Sequence, residues 1–169
     1  MKKLLQIVIL LAIGGIMRPA AAQFLHSGYL ELGGPGLISL NVERRLTHET
    51  NGLGLRVGAG AVIGFSDATA GTILALPVGV NYLIGQKETN LLELGAGITC
   101  IRANNTPLKG DFQGTFGHFL AGYRFQPRES NFMFRVFISP IFGINGWKPA
   151  YGGVSIGMRF KNPKTTRAL

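Results

Sequence analysis

The clearest pattern in the chain is a strict alternation between apolar residues and small or polar ones. Segment 53–61 places leucine, valine and alanine at odd positions and glycine or arginine at even positions, and segments 92–99 and 154–160 repeat this alternation. A period of two is that of a β-strand with two different faces. After residue 22 the chain gives no convincing helical period, so we predict an all-β protein.

Eight strand-like runs are separated by segments rich in Gly, Pro, Asn, Asp and Lys, which favour turns. We predict strands at 27–33, 36–45, 53–62, 72–84, 90–100, 114–125, 131–142 and 150–160. The chain has no linker, no low-complexity stretch and no repeat beyond the hairpins. These runs therefore predict one all-β domain.

Glycine dominates the polar face of the strands, and the chain contains 25 glycines in 169 residues. On a water-exposed strand, glycine packs against nothing and costs conformational entropy, so a soluble barrel would carry Lys, Glu, Thr and Ser there. The interior of a narrow eight-stranded barrel has room for only a few large side chains. The composition therefore favours an eight-stranded antiparallel up-and-down transmembrane β-barrel, with its apolar face toward lipid.

The glycine-rich face also carries charges of both signs. They are Glu31, Glu43, Glu93, Arg56, Arg124, Arg135 and Arg159. Buried charges are tolerated when they are paired and hydrogen-bonded, so we predict a salt-bridge network that closes the lumen and leaves no open diffusion pore. A catalytic site would need two of the glutamates held together without guanidinium partners, and the arginines argue against that.

The N-terminus has the layout of a secretory signal peptide. Lys2 and Lys3 precede an apolar run over 4–16, and three alanines at 20–22 supply a cleavage site before Gln23. The apolar run is too short to cross a bilayer as a helix. We predict a signal peptide at 1–22, an outer-membrane barrel at 23–160 and a short basic tail at 161–169.

Charge and cysteine content exclude other classes of protein. The net charge is +9, but the basic residues are scattered, and the local concentrations at Arg44 with Arg45 and in the tail do not alternate with aromatic residues. We therefore expect solvated or headgroup-facing charges there and no nucleic-acid binding. Cys100 is the single cysteine, so an intramolecular disulfide is impossible.

Connection lengths and aromatic positions predict the orientation. With both ends of the barrel in the periplasm, the outer connections are 34–35, 63–71, 101–113 and 143–149, and the periplasmic turns are 46–52, 85–89 and 126–130. Three of the four outer connections are the longer ones, as in bacterial outer-membrane barrels. Aromatic residues flank the strands as two girdles, at Tyr82, Tyr123, Phe125, Phe132 and Phe160 and at Phe65, Phe112, Phe116, Phe142, Trp147 and Tyr151.

Three segments carry a family resemblance: Tyr29-Leu-Glu-Leu-Gly-Gly, Leu40-Asn-Val-Glu-Arg-Arg and Gly153-Val-Ser-Ile-Gly-Met-Arg-Phe160. With the Ala-Ala-Ala-Gln at the end of the signal peptide, they resemble small outer-membrane β-barrel proteins of the OmpA-transmembrane and OmpX type, particularly those of Bacteroidota. The resemblance implies outer-membrane lipid and lipopolysaccharide as partners, a monomer, and no cofactor. It also implies that Phe160, an aromatic residue ending the last strand, is recognised by the barrel-assembly machinery, although nine residues follow it.

Some barrels of this size modify lipid A, so an enzymatic function is one alternative. The deacylase type resembles a serine hydrolase with His and Ser two residues apart on one strand, but Phe119 and Leu120 follow His118. His26 and Ser27 are adjacent and point to opposite faces, and His48 falls in a predicted turn. We predict a non-enzymatic barrel with a structural or surface-interaction role in the envelope; a small-solute channel is the second alternative.

Overall fold

The structure, a computed structural model, describes residues 26–47, 50–66, 69–86, 89–104, 114–143, 146–149 and 151–160. The predicted signal peptide, the basic tail and His48 lie outside these residues. The described part of the chain contains no α-helix with the length and apolar character needed to span a membrane.

Ten strands follow one another in the described residues. They are β1 His26–Gly33, β2 Ile38–Arg45, β3 Gly52–Ser66, β4 Thr69–Ile84, β5 Asn90–Asn104, β6 Gly114–Phe125, β7 Phe132–Ile138, β8 Ile141–Gly143, β9 Gly146–Lys148 and β10 Gly152–Phe160. Eight of them, β1 to β7 and β10, form a ring in which every pair of neighbours is antiparallel. The ring closes where β10 pairs with both β7 and β1. Closure leaves no sheet edge in the wall of the barrel.

The seventh wall strand is interrupted by two residues, Ser139 and Pro140, and resumes as β8. Proline has no backbone N–H to give to the ladder, but its carbonyl accepts from the Phe119 N–H at 3.0 Å. The Ser139 hydroxyl donates to the Phe119 carbonyl at 2.8 Å. Strand β8 therefore still pairs with β6, and with β9 it forms a hairpin beyond the ring.

We name the two ends of the barrel outer and periplasmic as the sequence predicts them. The strands on either side of the second outer connection are longer than predicted. The ladder between β3 and β4 continues up to the pair Ser66 and Thr69, and β5 continues to Asn104. The predicted loop at 63–71 is therefore wrong, because the backbone pairing extends through Gly64 and Gly71 although glycines usually mark a turn. The predicted loop at 101–113 begins later, and its residues 105–113 lie outside the described part of the chain.

The first outer connection folds into the barrel, toward Phe137 on β7 and Pro77 on β4; we call Gly33–Leu37 the lumen cap. It contains a short 3₁₀ turn over Gly34–Gly36 that is buried, and Leu37 has a left-handed φ of 64°. A Cβ on Gly34 would lie 2.7 Å from the Phe137 ring and 3.0 Å from Glu31 Oε1. Only glycine allows the backbone to approach these side chains so closely.

The two faces of the wall differ as the alternation predicts. The outward side chains are large and apolar, with exposed fractions such as 69% for Leu40, 46% for Leu55 and 53% for Ile156. The inward face carries the glycines and almost all of the buried polar and charged side chains. An exposed apolar surface of this extent is unfavourable in water and suits contact with hydrocarbon.

Candidate functional site

The site is built by inward-facing side chains from six strands. Glu31 lies on β1, Glu43 on β2, Arg56 on β3, Glu93 on β5, Arg124 on β6 and Arg135 on β7, and each of these residues is at most 3% exposed. Each occupies the face opposite the apolar wall because successive residues of a strand point to opposite sides.

Glu43 and Arg124 make the shortest ion pair among the described residues of the lumen. Arg124 donates from Nη1 to Glu43 Oε1 at 2.8 Å and from Nη2 to Oε2 at 2.6 Å. On the periplasmic side, Arg45 Nη1 donates to Glu43 Oε1 at 3.0 Å, and its Nη2 donates to the Gly52 carbonyl. The Glu43 carboxylate is therefore compensated by two guanidinium groups.

Glu93 is held between two arginines. Its Oε2 accepts from Arg124 Nε and from Arg135 Nε, both at 2.9 Å, and its Oε1 accepts from Arg135 Nη2 at 3.0 Å. The Asn81 amide lies between the two carboxylates and donates to Glu93 at 2.7 Å and to Glu43 at 2.9 Å. Two acids can lie this close because arginine and amide hydrogens surround both of them.

Glu31 lies nearer the outer end, beneath the lumen cap. Its Oε2 is 3.4 Å from Arg56 Nη1, 3.8 Å from Arg135 Nη1 and 3.4 Å from the Ser155 hydroxyl. Arg135 thus contacts both Glu31 and Glu93. From the cap toward the periplasm, the charges alternate in one chain of contacts, which we call the lumen column: Glu31, Arg135, Glu93, Arg124, Glu43 and Arg45.

Arg159, the remaining arginine predicted for the network, is buried near the periplasmic end of β10. Its Nη2 donates to the Ser130 carbonyl at 2.8 Å and to the Pro127 carbonyl. These carbonyls belong to the connection between β6 and β7. Through these bonds Arg159 anchors a periplasmic turn.

Sequence reasoning missed two members of the network, Arg45 and Asn81. We expected Arg45 to be solvated or to face headgroups, but it is 1% exposed and bonded to Glu43. The signal was present, because Arg45 is two residues from Glu43 and so shares its face. Asn81 lies on β4, whose two faces are both largely apolar in sequence. The alternation therefore did not indicate which face of β4, and hence Asn81, points into the lumen.

Glycine on the inward face makes room for these long side chains. A Cβ at Gly54 would lie 2.5 Å from Asn81 Oδ1 and 2.8 Å from Arg45 Nη1. At Gly97 it would lie 2.8 Å from the ring of His118. Residues with side chains at these positions would compete for the volume that the network fills.

Two histidines, His26 and His118, lie within the described residues. His118 is buried and its Nδ1 lies 3.4 Å from the Thr99 hydroxyl, at the long limit for a hydrogen bond. His26 is exposed whereas Ser27 is buried, so the two side chains lie on opposite sides of the wall. Within the described residues, no group of three or more His, Cys, Asp or Glu side chains could hold a metal ion.

Aromatic side chains lie on the outer surface near both ends of the wall. Tyr82, Tyr123, Phe132 and Phe160 are exposed toward the periplasmic end, and Phe142 and Trp147 are exposed on the hairpin of β8 and β9. The Phe142 ring stacks on Trp147 with their centroids 6.4 Å apart. Phe137, in contrast, points into the lumen and is 4% exposed.

Comparison with solved structures identifies the fold. The N-terminal β-barrel domain of OprF from Pseudomonas aeruginosa superposes with a TM-score of 0.53 at 14% identity, over 82% of this chain and 98% of that one. The chain has the fold of an eight-stranded outer-membrane β-barrel. At this identity the likeness extends to the fold alone, and it confirms the predicted fold class.

Two further structures match less closely. Ail of Yersinia pestis, in a phospholipid bilayer nanodisc, gives a TM-score of 0.48 at 15% identity over 82% of this chain and 99% of that one. A designed transmembrane β-barrel gives 0.44 at 14% identity over 86% of this chain and all of the other. No protein-family model and no curated protein matches the sequence.

The apolar wall and the barrel fold together place the protein in the outer membrane, as predicted. A closed barrel is the form in which β-strands can cross a bilayer, because every backbone hydrogen-bonding group in the wall finds a partner in a neighbouring strand. The wall of this barrel presents leucine, isoleucine and valine to its surroundings along its height. These side chains form the lipid-facing surface.

Proposed function

We propose that this protein is a non-enzymatic outer-membrane barrel with a closed lumen, and that it has a structural or surface-interaction role in the envelope. The lumen column is the observation that carries the proposal. It joins side chains of β2 and β6, which are four strands apart in either direction around the ring, so the contact between Glu43 and Arg124 crosses the full width of the lumen. An open pore would need water-filled space at this level.

The column supports a closed lumen because displacing it would expose several buried charges at once. Four arginines and three glutamates meet in the described lumen, and breaking one contact leaves its partner buried without full compensation. A passing solute would have to separate these pairs at every level between Glu31 and Arg45. A small-solute channel is therefore the weaker alternative.

Membrane contacts and assembly form the second part of the proposal. The apolar wall would contact lipid chains, and the exposed Arg102, Trp147 and Lys148 at the outer rim would face the phosphate and sugar groups of lipopolysaccharide. Phe160, the last residue of β10, is 58% exposed on the outer surface and available to the assembly machinery. We propose a monomer, because the closed ring leaves no unpaired strand edge in the wall.

Conductance in planar lipid bilayers tests the closed lumen. We expect no channel steps from the refolded full chain. Arg124→Ala combined with Arg135→Ala removes two cations of the column and should produce steps, whereas Arg102→Ala, at the rim, should not. Conductance steps from the unmodified protein would contradict the closed lumen and favour the channel. This measurement tests the proposal whether or not the double variant folds.

Mass spectrometry of lipid A tests whether the protein removes acyl chains from it. Lipopolysaccharide incubated with the refolded protein should keep its acyl chains, because Leu120 stands two residues after His118, where the deacylase arrangement needs a serine. Loss of one acyl chain that disappears in His118→Ala would show that the barrel is an enzyme.

A further inference from the structure

Three aromatic side chains form a continuous strip on the outer surface, at the outer end of the wall. Phe119 belongs to the wall strand β6, and Phe142 and Trp147 pair across the hairpin of β8 and β9. The Phe119 and Phe142 ring centroids are 5.1 Å apart, and those of Phe142 and Trp147 are 6.4 Å apart. We call these three residues the aromatic strip.

Gly117 makes room for the central ring of the strip. It pairs with Phe142 in the ladder between β6 and β8, so the two residues share a face of the sheet. A Cβ on Gly117 would collide with two carbons of the Phe142 ring. The ring therefore occupies the space of the missing side chain, and Gly117 is buried although it belongs to the outward face. Glycine at this position lets the ring lie close to the wall.

The rings of the strip are only moderately inclined to one another. The planes of Phe119 and Phe142 meet at 33°, and those of Phe142 and Trp147 meet at 27°. At these angles and separations the rings are offset, so each keeps part of its face uncovered. Phe119, Phe142 and Trp147 are 50%, 39% and 55% exposed. The strip thus presents a broad aromatic surface to its surroundings.

Strands β7 and β8 place this surface at the outer boundary of the hydrocarbon region. Phe132 begins β7 at the periplasmic end, and Phe142 follows ten residues later in β8. Ten residues span about 33 Å along a strand, or about 25 Å along the axis of a barrel whose strands tilt by roughly 40°. The apolar band of an outer-membrane barrel is also about 25 Å tall. With Phe132 at one boundary, Phe142 lies at the other, level with the lipid headgroups.

The strip is continuous with the lipid-facing wall, because Phe119 belongs to both. It therefore meets the lipids of the outer leaflet where their acyl chains end and their headgroups begin. A phosphate group needs cations or several N–H donors, and the only donor of the three side chains is the Trp147 indole N–H. A sugar ring has an apolar face of C–H groups, which packs on an aromatic ring, and hydroxyls that accept from an indole. The chemistry of the strip therefore fits a sugar.

We propose that the aromatic strip is a stacking site for a sugar ring of the glycolipid in the outer leaflet. The inference rests on the lipopolysaccharide contact proposed above and assigns the sugar to the aromatic side chains. Phe142 and Trp147 form the surface on which the sugar packs, and Phe119 contacts the adjoining part of an acyl chain.

Trp147 is the only tryptophan of the chain, so tryptophan fluorescence reports on the strip directly. The full chain is refolded into vesicles with matched acyl chains, made of phosphatidylcholine alone, with added phosphatidylglycerol, or with an added uncharged galactolipid. We expect the galactolipid to shift the emission to shorter wavelength and to reduce its quenching by acrylamide, and phosphatidylglycerol to do neither. Equal emission in all three vesicles, or an equal response to phosphatidylglycerol, would overturn the proposal.

Phe142→Leu removes the central ring and keeps an apolar side chain, so it should abolish the response to the galactolipid. Gly117→Ala should weaken the response, because its methyl group occupies the space of the ring. Phe132→Leu is the matched control, since Phe132 is 38% exposed against 39% for Phe142 but lies at the periplasmic boundary. A response that survives in Phe142→Leu would overturn the proposal.

The mobility of the same samples on gels, with and without heating, separates this proposal from the proposed function. A folded barrel whose Trp147 emission does not respond to the galactolipid overturns the sugar site and leaves the closed barrel in place. Failure of the protein to insert into any of the vesicles would contradict both.

Discussion

Arg124 on β6 and Glu43 on β2 are joined by two parallel hydrogen bonds of 2.8 and 2.6 Å across the middle of the barrel. The two residues are 81 positions apart in the sequence. Paired bonds between a guanidinium and a carboxylate are short, strong and fixed in orientation. This contact ties opposite sides of the wall to each other.

Removing Arg124 should destabilise the barrel strongly. Arg124→Ala leaves Glu43 with Arg45 and Asn81 and leaves Glu93 with Arg135 and Asn81, and each carboxylate loses part of its compensation. We expect a loss of about 3 to 5 kcal/mol in the free energy of unfolding, or less if water enters the gap. Urea titration of the protein in lipid vesicles measures it. Arg102→Ala, exposed at the outer rim, is the control and should change the midpoint little.

A double-mutant cycle measures the coupling within the column. Glu93 and Arg135 share two hydrogen bonds of 2.9 and 3.0 Å, so the double alanine variant should lose less than the sum of the single losses, by about 0.5 to 3 kcal/mol. Arg56 contacts Glu31 and reaches Glu93 only through Glu31 and Arg135. The cycle between Arg56 and Glu93 should therefore show a smaller coupling. Strict additivity in both cycles would show that the charges act independently.

An arginine on the lipid-facing wall tests the assignment of the outer surface. Leu55→Arg or Ile156→Arg places a charge in the hydrocarbon region and should cost about 2 to 4 kcal/mol. Leu46→Arg is the matched control, because Leu46 is also exposed but follows the periplasmic end of β2, where a charge reaches headgroups and water. Equal effects at all three positions in a lipid-refolding titration would contradict the assignment.

Closure of the barrel should be visible on denaturing gels. A wall in which every strand has two partners resists unfolding by detergent, because no edge is available from which to open. We expect the unheated protein to migrate differently from the heated one. Identical mobility before and after heating would argue against a closed ring.

The sequence was sufficient to predict the class of fold and the inward face of most of the lumen charges, although not of Arg45. Alternation with a period of two assigns Glu43 and Arg124 to the lumen, since Leu40 and Val42 on β2, and Tyr123 and Phe125 on β6, form the opposite, apolar or aromatic face. It does not give their heights along the barrel axis, because the heights depend on strand tilt and on the stagger of the pairing around the ring. The contact between Glu43 and Arg124 could therefore not be predicted from spacing.

Two features of the backbone could not be predicted from the local sequence. The pairing of Ser66 with Thr69 continues the sheet through glycines, and glycine favours a turn when it is considered alone. The inward fold of the lumen cap depends on close contacts with Phe137 and with Glu31. Both outcomes depend on what the neighbouring strands provide, which a single segment of sequence does not contain.

The lumen cap has a consequence for the use of this barrel as a carrier of foreign peptides. An epitope inserted between Pro35 and Gly36 would begin and end inside the barrel, because the turn around this position is buried. It would have to displace the cap before an antibody could reach it. The hairpin of β8 and β9, whose residues Gly146, Trp147 and Lys148 are exposed, offers a tether that already faces outward. The barrel therefore has unequal display sites, and the buried lumen cap is a poor one.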